Sequence, residues 1–330
     1  MSMQFRAEFN PSPFQTRVRH SEKILLVGSC FTEQIGNKLE QMKFSVLQNP
    51  NGILFNPASI SKSLKRYADP IPYMEEDLFY YNELWASWDH HSRFSGPGKT
   101  KVLSGMNDSL QRANTFLKEC HWLIITLGSA FVYERNEEYK REVVANCHKV
   151  PTDKFRRRLL SAEEVKANLQ AAFDAIFAVR PYLNVILTIS PVRHLREGFV
   201  ENNRSKANLI TAVHELTGPN VFYFPSYELI IDDLRDYRFY AEDLVHPNYS
   251  ATNYVWEKFI QAAVDPGAMD LLKEIAIINN AYQHKPFNPA SAQHQKFMEQ
   301  NLQKCIHLKE RFPYLDLEEE IIKFSGSGHP

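Results

Sequence analysis

Two short stretches carry the residue types of a nucleophile and its proton relay. Residues 24–31, ILLVGSCF, form an apolar run that ends at Gly28-Ser29-Cys30, and Asp243-Leu-Val-His246 sets a carboxylate three residues before an imidazole. A serine on the turn between a buried strand and a helix is held rigidly near the backbone N–H groups at the positive end of that helix, a place that stabilises an oxyanion. Asp and His at i and i+3 can share one side of a tight turn, so the carboxylate fixes the imidazole tautomer and the other ring nitrogen takes the serine proton. Either piece alone is common. The pair, at the two ends of an alternating strand and helix region, points to a serine hydrolase.

Those residues need a scaffold, and the chain supplies strand-like apolar runs with helical patterns between them, the signature of a parallel sheet with crossover helices. Strands are expected at Lys23–Val27, Trp122–Leu127, Val185–Ile189 and Val221–Phe224, with Phe44–Leu47 a fifth. Helices follow in a segment carrying Ile35, Leu39 and Met42, and over Ala162–Val179, Asn203–Leu216 and Tyr249–Ala263. Function in such sheets gathers at the carboxyl ends of the strands. Gly28-Ser29, Gly128-Ser129, Ser190-Pro191 and the loop before His246 all fall there. Residues 48 to about 120 read as a long loop excursion over the sheet, rich in aromatic, Pro and Gly residues. Residues 1–265 are thus expected to form one α/β domain. Residues 266–330 read as a helical extension whose Gly/Ser/His/Pro tail, 325–330, is expected to be disordered.

The chain has 330 residues, 44% of them hydrophobic, which is ample for a large core. Lys and Arg number 38 against 39 Asp and Glu, so the net charge of −1 gives no general attraction to nucleic acid or anionic membranes. Arg156-Arg157-Arg158 and Glu318-Glu319-Glu320 are read as solvated faces. Cys30, Cys120, Cys147 and Cys305 are too scattered for a disulfide framework, and reduced thiols are expected. The N-terminus, MSMQFRAEFNPSP, lacks a signal-peptide apolar region and no run of about 18 apolar residues is present, so the expected location is cytoplasmic.

Further candidates lie in the excursion and the strand ends. Cys30 adjoins Ser29, but neighbouring side chains in a turn point apart, so one of the two faces His246. In Trp88-Asp89-His90-His91, one His can be a hydrogen-bonded structural group and the other a site residue. His90 or His91 with Cys147 and His148 has the ligand types of zinc without any recognised zinc spacing, so no metal is expected. Arg193-His194, past a strand end, reads as a substrate-anion contact or a loop salt bridge. Trp85, Trp88, Phe94 and Tyr133 could line a sugar- or acyl-binding surface or only hold the excursion down.

The blocks NPNGILFNP (49–57), LWASWDHHSRFSG (84–96), TLGSAFVYE (126–134), VVANCHKVP (143–151), ISPVRH (189–194) and DYRFYAEDLVHPN (236–248) extend a resemblance that centres on Gly28-Ser29-Cys30-Phe31. The chain resembles the GSCFA family, with Thr32 in place of the motif's final Ala, over residues from about 5 to 263. That family looks like a branch of the SGNH (GDSL-type) hydrolases. The resemblance implies a three-layer α/β/α sandwich with a central, mainly parallel, flavodoxin-like sheet, Ser29 as nucleophile on family analogy over Cys30, and Asp243 and His246 as its partners. It also implies two oxyanion donors: a Gly N–H after the second strand, best matched by Gly52, and the Asn of a Gly-x-Asn after the third. Here that segment is Gly128-Ser129-Ala130 and the Asn is missing, a loss worth roughly 3 kcal/mol of barrier. Ser129, Asn146 and His148 are the candidate replacements.

The expected function is hydrolysis of a small O-acyl ester, such as an acetylated carbohydrate, with no cofactor, nucleic acid or membrane partner. Acyl transfer by the same triad, a catalytically weak carbohydrate-binding protein, and a metal-dependent enzyme using His90, His91, Cys147 and His148 are the alternatives.

Overall fold

The computed structural model describes residues 7–136 and 141–326. In its first half the elements are β1 (Lys23–Gly28), α1 (Cys30–Gln41), β2 (Ser45–Gln48), α2 (Pro57–Ala68), β3 (Phe79–Tyr81), β4 (Leu84–Ala86), α3 (Lys99–Glu119), β5 (Trp122–Leu127), β6 (Phe131–Arg135), β7 (Val143–Val144) and β8 (Phe155–Leu159). Then come α4 (Ala162–Val179), β9 (Asn184–Ile189), α5 (Phe199–His214), β10 (Val221–Phe224), α6 (Ser226–Glu228), α7 (Tyr249–Ala263), α8 (Met269–Gln283), α9 (Ala292–Arg311) and α10 (Glu318–Phe324).

The central sheet has the order β10-β9-β5-β1-β2, and every pairing in it is parallel. Its strands are apolar on both faces because both are covered. Leu25, Val27, Leu123, Ile125, Val185 and Leu187 point into one core, which α2, α3, α4 and α5 close. Ile24, Leu26, Trp122, Ile124 and Ile186 point into the other, closed by α1 and α7. The result is a three-layer α/β/α sandwich. The chain moves from β1 outward to β2 and then crosses to β5 on the other side, so the strand order reverses between β1 and β5. Loops leaving two neighbouring strands in opposite directions open a crevice at such a point. Ser29 follows β1 there.

The excursion is built rather than loose. Asn56 caps α2 by accepting the Ser59 N–H at 2.8 Å, with Pro57 at the first helical position, and α3 buries Val102, Met106, Leu110, Ala113 and Leu117 along one stripe. These two helices, not an extended loop, make the crossover from β2 to β5. Between them β3 and β4 pair as a short hairpin, and after β5 a second small sheet has the order β7-β6-β8. Helix α5 begins four residues before the expected start at Asn203, directly after Gly198.

Helices α8 to α10 share a separate apolar cluster around Ile275, Cys305, Leu308 and Leu317. Residues 327–330 of the tail lie outside the described residues. Ser325 and Gly326 close α10 through N–H bonds to the carbonyls of Ile321 and Lys323. The charge runs are not plain solvated faces: Glu320 is buried with Lys43 at 2.6 Å, and Arg158 reaches Glu134 and Glu164 at 2.8 and 2.5 Å. All four cysteines are free thiols. Among the described residues no helix is long and apolar enough to cross a membrane.

Candidate active site

The turn after β1 is specified by its glycine. Gly28 has φ +149°, and a Cβ there would meet the Thr126 carbonyl oxygen at 2.2 Å, so no other residue fits. Neighbouring segments then fix the turn from three sides. Asn49 Oδ1 accepts the Gly28 N–H at 2.8 Å, Gly28 O accepts the Leu54 N–H at 2.9 Å, and Ser29 N donates to Thr126 O at 3.1 Å. Ser29 is the N-cap of α1, its side chain is 0% exposed, and its Oγ has no hydrogen-bond partner. The first N–H groups of a helix have no intrahelical acceptor. Those of Cys30 and Phe31 hold the Cys30 thiol down, but burial outweighs them and raises it above the usual range, leaving it a protonated, poor nucleophile near neutrality.

Asp243 and His246 meet, as their spacing allows. His246 Nδ1 lies 2.7 Å from Asp243 Oδ2, while Asp243 Oδ1 accepts the N–H groups of Val245 and His246 at 2.9 and 3.0 Å. Those N–H bonds and the imidazole hold the carboxyl down to about 2, so it is ionised over any practical pH range. The two side chains are 43% and 50% exposed, respectively for His246 and Asp243, and no hydrogen bond joins His246 to Ser29. His246 is close enough to His194 to disfavour its protonation.

His194 sits where the strand ends converge. Its Nε2 is buried without a partner, a Cβ on Gly128 would lie 3.4 Å from it, and its ring meets Phe55 edge-on at 5.6 Å. Burial, then the charges of Lys206 and His246, push it down to about 3, so it is a neutral imidazole. Beside it lies a cavity of about 620 Å³ lined by Phe55, Ser129, Tyr133, Asn146, His148 and Arg196 among others. A groove of about 840 Å³ between Phe9–Gln15 and β10 holds none of the expected site residues.

The remaining candidates divide clearly. Gly52 N donates to Asn49 O at 2.7 Å, and the N–H groups of Gly128 and Ser129 both donate to Phe55 O, at 2.9 and 3.0 Å. These three backbone donors are already engaged. Asn146 Oδ1 accepts the His148 N–H at 2.7 Å, and Asn146 faces the cavity. His148 Nε2 is 2.8 Å from the Ser87 carbonyl oxygen, with Phe79 and Trp88 against its ring. His91 caps a short turn by accepting the Arg93 N–H. Among the described residues Arg193 has no salt-bridge partner: its guanidinium lies over the rings of Tyr237 and Tyr240, at 5.0 and 4.3 Å, and its backbone N–H donates to Val245 O at 3.3 Å. It therefore braces the His246 loop. Of the aromatic residues, Tyr133 lines the cavity, while Trp88 stacks on Phe79 with centroids 3.7 Å apart and Phe94 lies against His90. Among the described residues no three His, Cys, Asp or Glu side chains converge to hold a metal, so His90, His91, Cys147 and His148 do not form one ligand set.

His90 is a core residue. It is 1% exposed, between Tyr73 and Phe94, with Nε2 at 3.3 Å from Asn51 Nδ2, and burial holds it down to about 3. Below about pH 6.5 the unfolded chain takes up protons at His90 and His194 that the folded chain refuses, so stability falls as pH drops from 6.5 toward 3, on the order of a few kcal/mol for the buried His90 and less for the partly exposed His194. The urea midpoint is expected to drop from pH 7 to pH 4.5, and His90→Phe to flatten that slope. A midpoint independent of pH would contradict this.

Sequence reasoning overlooked Asn49, which braces the Gly28-Ser29 turn, and the pair Ser205 and Lys206 on α5. Lys206 was detectable: it falls on the buried stripe of α5 with Asn202, Leu209 and Val213, where a lysine is out of place.

The GSCFA family model matches residues 23–259, and that of the GSCFA domain protein, C-terminal domain, matches residues 275–325. The chain belongs to the GSCFA family. Two solved structures are similar at 11% identity and a TM-score of 0.36, each over 77% of this chain and 99% of the other: a carbohydrate esterase family 3 from Talaromyces cellulolyticus, and a mutant acetyl esterase with acetate ion. No curated protein matches the chain.

Proposed function

We propose that the protein is a serine ester hydrolase of SGNH type acting on short O-acyl esters, with acetylated carbohydrates the first class to test. The observation that carries this reading is the Asp243–His246 pair at 2.7 Å. An ionised carboxylate at Nδ1 holds the proton on that nitrogen and leaves Nε2 as the acceptor. Ser29 Oγ attacks the acyl carbon as its proton passes to Nε2, which requires His246 to close on Ser29. The tetrahedral oxyanion collapses, the alcohol leaves with that proton, and water repeats the two steps on the acyl-enzyme. The start of α1 stabilises the oxyanion with its N–H groups and dipole.

The same triad supports a second reading, acyl transfer, in which a second hydroxyl rather than water takes the acyl group. One assay separates them. Acetate released from an acetylated oligosaccharide in water indicates hydrolysis, and an acetylated acceptor found by mass spectrometry indicates transfer; neither product from any acyl donor would leave a binding protein.

The proposed steps pass through no metal. Prolonged EDTA treatment is expected to leave turnover unchanged. Activity lost to EDTA and restored by zinc would replace this mechanism.

A further inference from the structure

Lys206 is 1% exposed and has no carboxylate partner among the described residues. Its Nζ donates at 2.7 Å to the carbonyl of Gly128, after β5, and at 2.7 Å to that of Ser190, after β9. The preceding residue, Ser205, accepts the Ala130 N–H at 2.8 Å and lies 3.2 Å from Ser129 Oγ, which accepts the Phe131 N–H at 3.1 Å. Gly128-Ser129-Ala130, the turn that lacks the Gly-x-Asn asparagine, is thus held at three successive residues by one dipeptide of α5. Taking an ammonium out of water against two carbonyls is costly, and a methionine would spare that cost only by leaving both carbonyls without this donor. The lysine therefore does more than fill space: it ties the ends of β5 and β9 together and places a positive charge beneath them.

We propose that Lys206 is a positioning residue of the ester site: it sets the Gly128–Ala130 turn against the cavity and supplies, from beneath, positive potential in place of the missing asparagine donor. This rests on the reading of Ser29 as nucleophile. Two of the three ammonium donors are used, and the charge acts on Cys30, next to Ser29, and on His194 at the cavity. The titratable groups facing it are Cys30 from α1, His194 from the loop after β9, and Tyr227 from α6, whose ring centroid is 5.8 Å from Nζ. Thiol and phenol are both raised by burial, so none of the three brings a negative charge near neutrality. Burial holds Lys206 itself down to about 7. The ammonium is charged below that pH and neutral above it, so turnover that uses the charge declines on the alkaline side.

The test is the pH dependence of kcat and KM on p-nitrophenyl acetate for wild type, Lys206→Met and Ser29→Ala, with folding checked by circular dichroism. Lys206→Met is expected to lower kcat about 100-fold, the scale of one lost oxyanion donor, to move KM little, and to abolish the alkaline limb of the wild-type profile. A purely structural lysine would change the melting temperature and leave the limb in place. A folded Lys206→Met with wild-type kcat overturns the proposal, and so does a wild-type profile without an alkaline limb, which can be read even if the variant does not fold. With Ser29→Ala inactive, either result falls on Lys206 alone; an active Ser29→Ala removes the nucleophile reading and this proposal with it.

Discussion

Ser29→Ala is expected to lower kcat on a short-chain acyl ester by roughly 10⁴-fold or more while KM stays nearly constant, because in the proposed reaction the hydroxyl forms a bond to the acyl carbon and contributes little to holding the substrate. Folding should survive, since Oγ has no hydrogen-bond partner to lose and the turn is set by Gly28, Asn49 and Thr126. Cys30→Ala is the control. Its thiol is raised by burial, and its removal is expected to cost less than about tenfold. Steady-state kinetics on purified variants check both, and the reverse order of effects would move the nucleophile to Cys30.

The second large effect belongs to the relay. His246→Ala removes the proposed base and Asp243→Asn disturbs its tautomer and charge compensation, so each is expected to lower kcat/KM by roughly 10⁴-fold. Both residues are about half exposed on a loop, so stability should change little. Asp243, held down to about 2, stays ionised from pH 5 to 9. Near-normal rates in either variant from pH 5 to 9 would reduce Asp-x-x-His to a loop sequence.

The layers of the fold were legible because the sheet strands are apolar runs of four to six residues and the later helices carry clean periodicity; α4 and α7 coincide with their expected spans. The excursion was not, although its signal was present. Val102, Met106, Leu110, Ala113 and Leu117 recur at helical spacing in α3, but Ser, Asn, Lys and Gly between them mask the stripe. The Asp243–His246 contact was legible because a spacing of three residues allows the two side chains to meet in a tight turn. The uses of Gly52, Gly128 and Ser129 were not, since backbone N–H groups go to whichever carbonyl the fold brings near: Asn49 for the first and Phe55 for the other two. Lys206 stood out as a lysine on the buried stripe of α5, but its acceptors, main-chain carbonyls of residues 78 and 16 positions away, appear in no side-chain pattern.

The most direct test of Ser29 as nucleophile is covalent labelling with a fluorophosphonate followed by peptide mass mapping. The phosphonyl group is expected on Ser29, with stoichiometric loss of esterase activity and no label in His246→Ala over the same time. Label on Cys30, or full activity after complete labelling elsewhere, would contradict it.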